Sequence, residues 1–207
     1  IIRQSEENAS KLFGCPTFYS TEGSSLCIRA MLYLCTVYAA SQGKRPLIAA
    51  ARNVHSTFLS AAVLLDFDIH WLYGDRKDGY LSCAIDPQSL DRWLGSQQVA
   101  PVAVYLTSPD YLGNVADISS ISQVCHKHGV LLIVDNAHGA YLKFLPQSLH
   151  PMDLGADICC DSAHKTLPVL TGGAYLHIGS HLPMIIKSHA KQALALFGST
   201  SPSYLIL

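Results

Sequence analysis

From residue 46 to residue 178 the chain alternates short apolar runs with stretches of helical spacing. "PLIAAA" (46–51) is an unbroken apolar run of strand length, and "VHSTFLSAAVLLD" (54–66) repeats its apolar residues as a helix does. "DIHWLY" (68–73) reads as a strand, and "DPQSLDRWLGSQ" (86–97) opens on Asp-Pro, a helix-start signal. "APVAVYLTS" (100–108) is a strand, and "DISSISQVCHKHG" (117–129) is a helix with an Asp cap and a closing Gly. "VLLIVD" (130–135), "ADICCD" (156–161) and "GAYLHI" (173–178) are further strands. Near-continuous apolar strands separated by helices predict a mainly parallel sheet covered on both faces, an α/β three-layer sandwich. No internal repeat, low-complexity tract or linker interrupts residues 1–207, so they read as one domain.

Composition sharpens this picture. Of the 207 residues 49% are hydrophobic and 14% charged, so the chain has much apolar surface to bury. A net charge of -1 with scattered lysines and arginines argues against a nucleic-acid binder. No apolar stretch approaches the roughly 20 residues of a membrane span, and "IIRQSEENAS" does not read as a signal peptide. The seven cysteines are odd in number and lie inside apolar patterns, which suits reduced thiols in the cytoplasm. The chain starts without Met and stops in an apolar pattern at "SPSYLIL", so it is expected to be part of a longer protein.

In parallel sheets, ligands bind beyond the carboxyl ends of the strands. Asp135, Ser108, His55 and Lys165 all follow strands and converge on that rim. Ser24 and Ser25 lead into a helix, and a helix N-terminus with serine hydroxyls can hold an anion; they lack a Walker lysine pattern. Together these groups suit pyridoxal 5'-phosphate. A lysine can form a Schiff base with its aldehyde. An aspartate can keep the pyridine nitrogen protonated, which makes the ring an electron sink.

Each residue also has a structural alternative: an exposed loop lysine for Lys165, helix caps for Asp135, Ser24 and Ser25, and a satisfied structural histidine for His55. "CHKH" (125–128) sits at a helix end, where His and Lys suit the dipole, and is not expected to bind a metal. Cys159 and Cys160 are expected to point to opposite faces of a buried strand.

The stretches "FYSTEGSS", "RNVHSTFLSA", "VYLTSPDYLGNVADI", "LLIVDNAHGAYLKFLP", "GADICCDSAHKTLPVLTGGAYLHI" and "STSPSYLIL" occur in that order and cover nearly the whole chain. They resemble the large domain of fold-type-I pyridoxal-phosphate enzymes, within them the ornithine/lysine/arginine decarboxylases. The resemblance implies that Lys165 is the Schiff-base lysine and Asp135 the partner of the pyridine nitrogen. It implies that His55 stacks on the ring, Ala137 packs on the other face and His138 lies near the ring's 3-oxygen. Ser24, Ser25, Ser162 and His164 would hold the phosphate, and Ser199 or Thr200 would reach a neighbouring subunit's cofactor in a homodimer or larger homo-oligomer.

Three positions depart from the family pattern: Glu22 for Asn, Asn136 for an acidic residue and Asp110 for Thr. The family's N-terminal segment and C-terminal small domain are expected to be missing. The implied activity is decarboxylation of a basic amino acid. An aminotransferase, another lyase of the same fold, or a truncated homologue that binds cofactor or a partner chain with little turnover stays open.

Overall fold

A computed structural model describes residues 2–74, 79 and 81–206. Helix α1 (Ile2–Phe13) precedes an edge strand β1 (Thr17–Ser20) and the long helix α2 (Gly23–Ser41). Then follow β2 (Leu47–Ala51), α3 (Ser56–Leu65), β3 (Asp68–Leu72), α4 (Pro87–Ser96), β4 (Ala103–Thr107), α5 (Ile118–Lys127) and β5 (Leu131–Asp135). Two 3-10 turns lead to β6 (Ile158–Asp161), the four-residue α6 (Ala163–Thr166), β7 (Ala174–Ile178) and α7 (Met184–Phe197). The strands form one seven-stranded sheet in the order β1-β7-β6-β5-β4-β2-β3. β3, β2, β4, β5 and β6 run parallel, while β7 is antiparallel to both β6 and β1.

The predicted helix starts are made by the predicted caps. Asp86 accepts from Ser89 N at 2.8 Å and Asp117 from Ser120 N at 3.0 Å, which satisfies amides that a helix start leaves open. Helices α1 and α7 and the edge strand β1 lie outside the elements read from the apolar pattern, whereas β7 matches the strand read at 173–178.

Alternation along each strand sorts the core into two clusters. Ile48, Ala50, Tyr105, Ile133 and Cys160 pack with α2, α3 and α7 on one face. Ala49, Ala51, Val104, Val134 and Cys159 pack with α4 and α5 on the other. Cys159 and Cys160 thus point to opposite faces, as the period of two requires.

The membrane reading needs a correction. α2 has 19 residues and, by length and composition, is apolar enough to cross a membrane. Its apolarity has another cause here: Leu26, Cys27, Ile28, Met31, Leu32, Leu34 and Cys35 are all buried against the sheet and α7.

Candidate active site

The sheet's carboxyl rim holds a cavity of about 340 Å³. Its walls include Ser24, Ser25, His55, Asp135, Ala137, His138, Ser162, His164 and Lys165. Nine of the residues singled out from the sequence therefore face one space, although they come from four separate segments.

Asp135 ends β5 and is 2% exposed. Its carboxylate accepts from Ala137 N at 3.2 Å and from Tyr105 Oη at 3.3 Å, and lies 3.7 Å from Cys160 Sγ. Burial pushes its pKa up; the Ala137 amide and the His55 ring oppose that only in part.

Lys165 sits in α6, one turn after β6, on the exposed side of the cavity wall. Its Nζ lies 3.0 Å from His138 Nε2. Burial, and then the charge of Lys165, hold His138 below the usual imidazole pKa. His138 is therefore neutral and accepts this hydrogen bond.

His55 caps α3: its Nδ1 accepts from Thr57 N at 3.2 Å, which leaves the ring proton on Nε2. Thr57 Oγ1 lies 2.9 Å from that Nδ1 and 3.2 Å from Ser25 Oγ. The structural role and the place in the cavity coexist in one side chain.

The start of α2 forms the cavity's polar end. Its N-cap residue, Glu22, makes no side-chain bond to the first-turn amides. Ser162 Oγ donates to Ser24 Oγ at 2.6 Å. His164 Nδ1 donates to the carbonyl of Gly173 at 3.0 Å, which leaves Nε2 available. Gly172 completes the cup: its φ is +98° and a Cβ there would meet Thr21 O at 2.5 Å, so a side chain would force the loop away.

Glu22, the carboxylate out of place in the family pattern, lines the cavity but accepts from Ser199 N at 2.6 Å. Asp110 is buried and ordered by its own loop, accepting from Leu112 N and Asn114 N at 2.8 and 2.9 Å. Asn136 donates to Asp161 at 2.6 Å and faces away from the cavity.

One expectation needs correction. Ser108 is 1% exposed and does not line the cavity; its Oγ accepts from Ala116 N at 3.0 Å. The adjacent Thr107 lines it instead, because a one-residue step along a strand reverses the face. Thr107 Oγ1 is buried without a hydrogen-bond partner among the described residues. Thr200 is exposed and does not line its own chain's cavity; the expectation for it concerns a neighbouring subunit's cofactor. Tyr111 and Thr171 are further lining residues, inside the quoted stretches but not singled out from the sequence; the Tyr111 ring stands edge-on to His138 at 5.3 Å.

The family model "Orn/Lys/Arg decarboxylase, major domain" matches residues 1–207. An arginine decarboxylase of Bacillus subtilis is 31% identical over 211 residues, covering 100% of this chain and 41% of that protein. The uncharacterized protein YaaO of the same organism is 30% identical, covering 100% and 42%. The chain thus spans about two fifths of the length of these relatives. Among solved structures, a lysine decarboxylase of Francisella novicida superposes with a TM-score of 0.79 at 21% identity, over 99% of this chain and 29% of that one. An Oryza sativa TDC holding PLP and tryptamine superposes with a TM-score of 0.71 at 19% identity, over 99% and 44%. These likenesses give the fold: that of fold-type-I pyridoxal-phosphate enzymes.

Proposed function

The chain belongs to the Orn/Lys/Arg decarboxylase family, whose major domain it matches throughout, and from that premise we propose that it binds pyridoxal 5'-phosphate and decarboxylates a basic amino acid. The observation that carries this reading is the placing of the Lys165 amine, the neutral His138 and the buried Asp135 in one cavity.

The residues fit the group. A pyridine N–H needs a buried acceptor, and Asp135 has oxygens held by only long contacts. A phosphate needs donors, and the uncapped start of α2 offers amides with the hydroxyls of Ser24, Ser25 and Ser162. Thr107 Oγ1 is a buried hydroxyl in the same cavity that lacks a partner among the described residues. A cavity of about 340 Å³ lies within the usual range for small-ligand sites.

The chemistry this cofactor supplies when bound is an electron sink for the pair released as the α-carboxylate leaves. Asp135 holds a proton at the pyridine nitrogen, and its burial keeps that interaction from being screened by water. Lys165 is the attachment amine. His138, held neutral, accepts the hydrogen bond of the Lys165 Nζ and orients the amine toward the cavity. His55, fixed by Thr57, and Ala137 supply cavity walls. Glu22 stays engaged with Ser199, which turns its charge from the phosphate donors.

We extend the proposal to a cytosolic homo-oligomer in which Ser199 or Thr200 acts on a neighbour's site. The exposure of both residues and the seven free thiols support it.

The test is to add pyridoxal phosphate, reduce with borohydride and map the modified peptide. Modification of Lys165, a shifted visible band and CO2 release from arginine, lysine or ornithine are expected. Modification of another lysine would overturn the site. Attachment at Lys165 with no CO2 from any of the three would overturn the reaction while keeping the cofactor.

A further inference from the structure

At the opposite rim of the sheet, three side chains from distant segments meet. His126 lies in the last turn of α5, Asp157 directly precedes β6, and His181 follows β7. Asp157 Oδ2 is 3.0 Å from His126 Nε2, and Oδ1 is 2.6 Å from His181 Nε2. The three ligand atoms lie within 4.8 Å of one another. From this geometry we propose that His126, Asp157 and His181 bind a divalent transition cation of the Zn²⁺/Co²⁺ class, with water completing the shell.

The donor set suits such an ion. Two imidazoles and one carboxylate are borderline ligands, and three protein ligands plus water make an open tetrahedral site. Bonds of about 2.0–2.1 Å set tetrahedral ligand atoms roughly 3.3 Å apart. The two histidine–carboxylate spacings need to widen only slightly. The histidine side chains can do this, being 43% and 60% exposed, while Asp157 is 2% exposed. On binding, each imidazole coordinates through Nε2 and carries its proton on Nδ1.

The surroundings are also built for it. Leu132 N donates to Asp157 Oδ2 at 2.7 Å and fixes the carboxylate from behind, as outer-shell donors do at metal sites. A Cβ at Gly179 would meet His181 Cε1 at 2.7 Å, so glycine there leaves room for the ring. A cavity of about 450 Å³, lined by His126 and His181 with Gly14 and Ser180, gives the ion a path from solvent.

This departs from the sequence expectation of no metal at "CHKH", and the reason is spatial. Cys125 is buried in the core and His128 pairs with Asp91, so the motif itself disperses. His126 alone turns to Asp157 and His181. The ion would tie the C-terminal end of α5 to the connections flanking β6 and β7, far from the cofactor cavity.

The test is to titrate the cofactor-free chain with Co²⁺ and then Zn²⁺. One equivalent of Co²⁺ should give visible d–d bands without a thiolate charge-transfer band, and Zn²⁺ should displace it. Zn²⁺ at a hundredfold excess over Kd should raise the melting temperature by roughly 5–10 °C. His126→Ala and His181→Ala are surface changes that should fold; each should weaken binding at least about tenfold and leave borohydride labelling of Lys165 unchanged. Absence of binding at millimolar Co²⁺, a thiolate band, or affinity unaltered in both variants would each overturn the proposal.

Discussion

Two buried aspartates end adjacent strands, and they have opposite surroundings. Asp161, ending β6, is fully buried and accepts from His150 Nε2 and His177 Nε2 at 3.1 Å each and from Asn136 Nδ2 at 2.6 Å. Phe13 closes this network, its ring 4.4 Å from His177 and 5.4 Å from His150. Burial works to raise the Asp161 pKa, but His177 and His150 overcome it and hold the carboxyl well below its usual range. Asp135, one strand over and on the other face, has weak partners and a raised pKa. A carboxylate whose bonds are complete holds the fold together. One left with open bonding capacity toward a cavity is available to a ligand.

The largest expected effect breaks the cavity side of this contrast. Lys165→Ala should abolish borohydride attachment and lower decarboxylation on the order of 10³-fold or more, with the melting temperature unchanged. Labelling that persists in the variant would remove Lys165 from its role.

Next comes a direct exchange between the two carboxylates. Asp161→Ala strands two buried imidazoles and an amide, and should destabilise the chain by about 3–5 kcal/mol in urea melts. Asp135→Asn should change stability by less than about 1 kcal/mol while lowering turnover by about 10²–10⁴-fold. Equal losses of stability would erase the distinction.

The pH dependence separates them further. Asp161 has a depressed pKa, so its contribution is present above the unfolded value of about 3.9 and is lost as pH falls below it. Asp135 has a raised pKa, so the folded state holds the extra proton, and stability declines as pH rises from about 3.9 through the folded value. Without cofactor, Asp135→Asn should therefore gain stability over the parent chain from pH 4 toward neutrality. Denaturation midpoints across that range check the sign, and a gain only on acidification would contradict it.

The smallest effect concerns neighbours in one strand end. Ser108→Ala should cost about 1 kcal/mol, through the lost bond to Ala116 N, without altering cofactor affinity. Thr107→Val should weaken cofactor binding a few-fold with little change in stability. Fluorescence titration of the cofactor beside thermal melts distinguishes the two, and a reversal would put Ser108 back in the site.

Lys165, Asp135 and His138 were legible because each lies in a local motif next to an unmistakable apolar strand. Ser108 was misplaced by one residue because the apolar run locates a strand end without stating which face its last side chain takes. Glu22 raised a question of charge that only the approach of Ser199 answers.

By itself, the sequence determined the parallel core, the helix starts at Asp86 and Asp117, and the family, since these rest on local periodicity, capping and contiguous motifs. Only the tertiary structure decided which groups meet. His126 finds Asp157 and His181, and Asp161 finds His150 and His177, through chain closures that leave no local pattern. Burial and partner count, which set one aspartate's proton affinity up and the other's down, are properties of that closure, not of the residues.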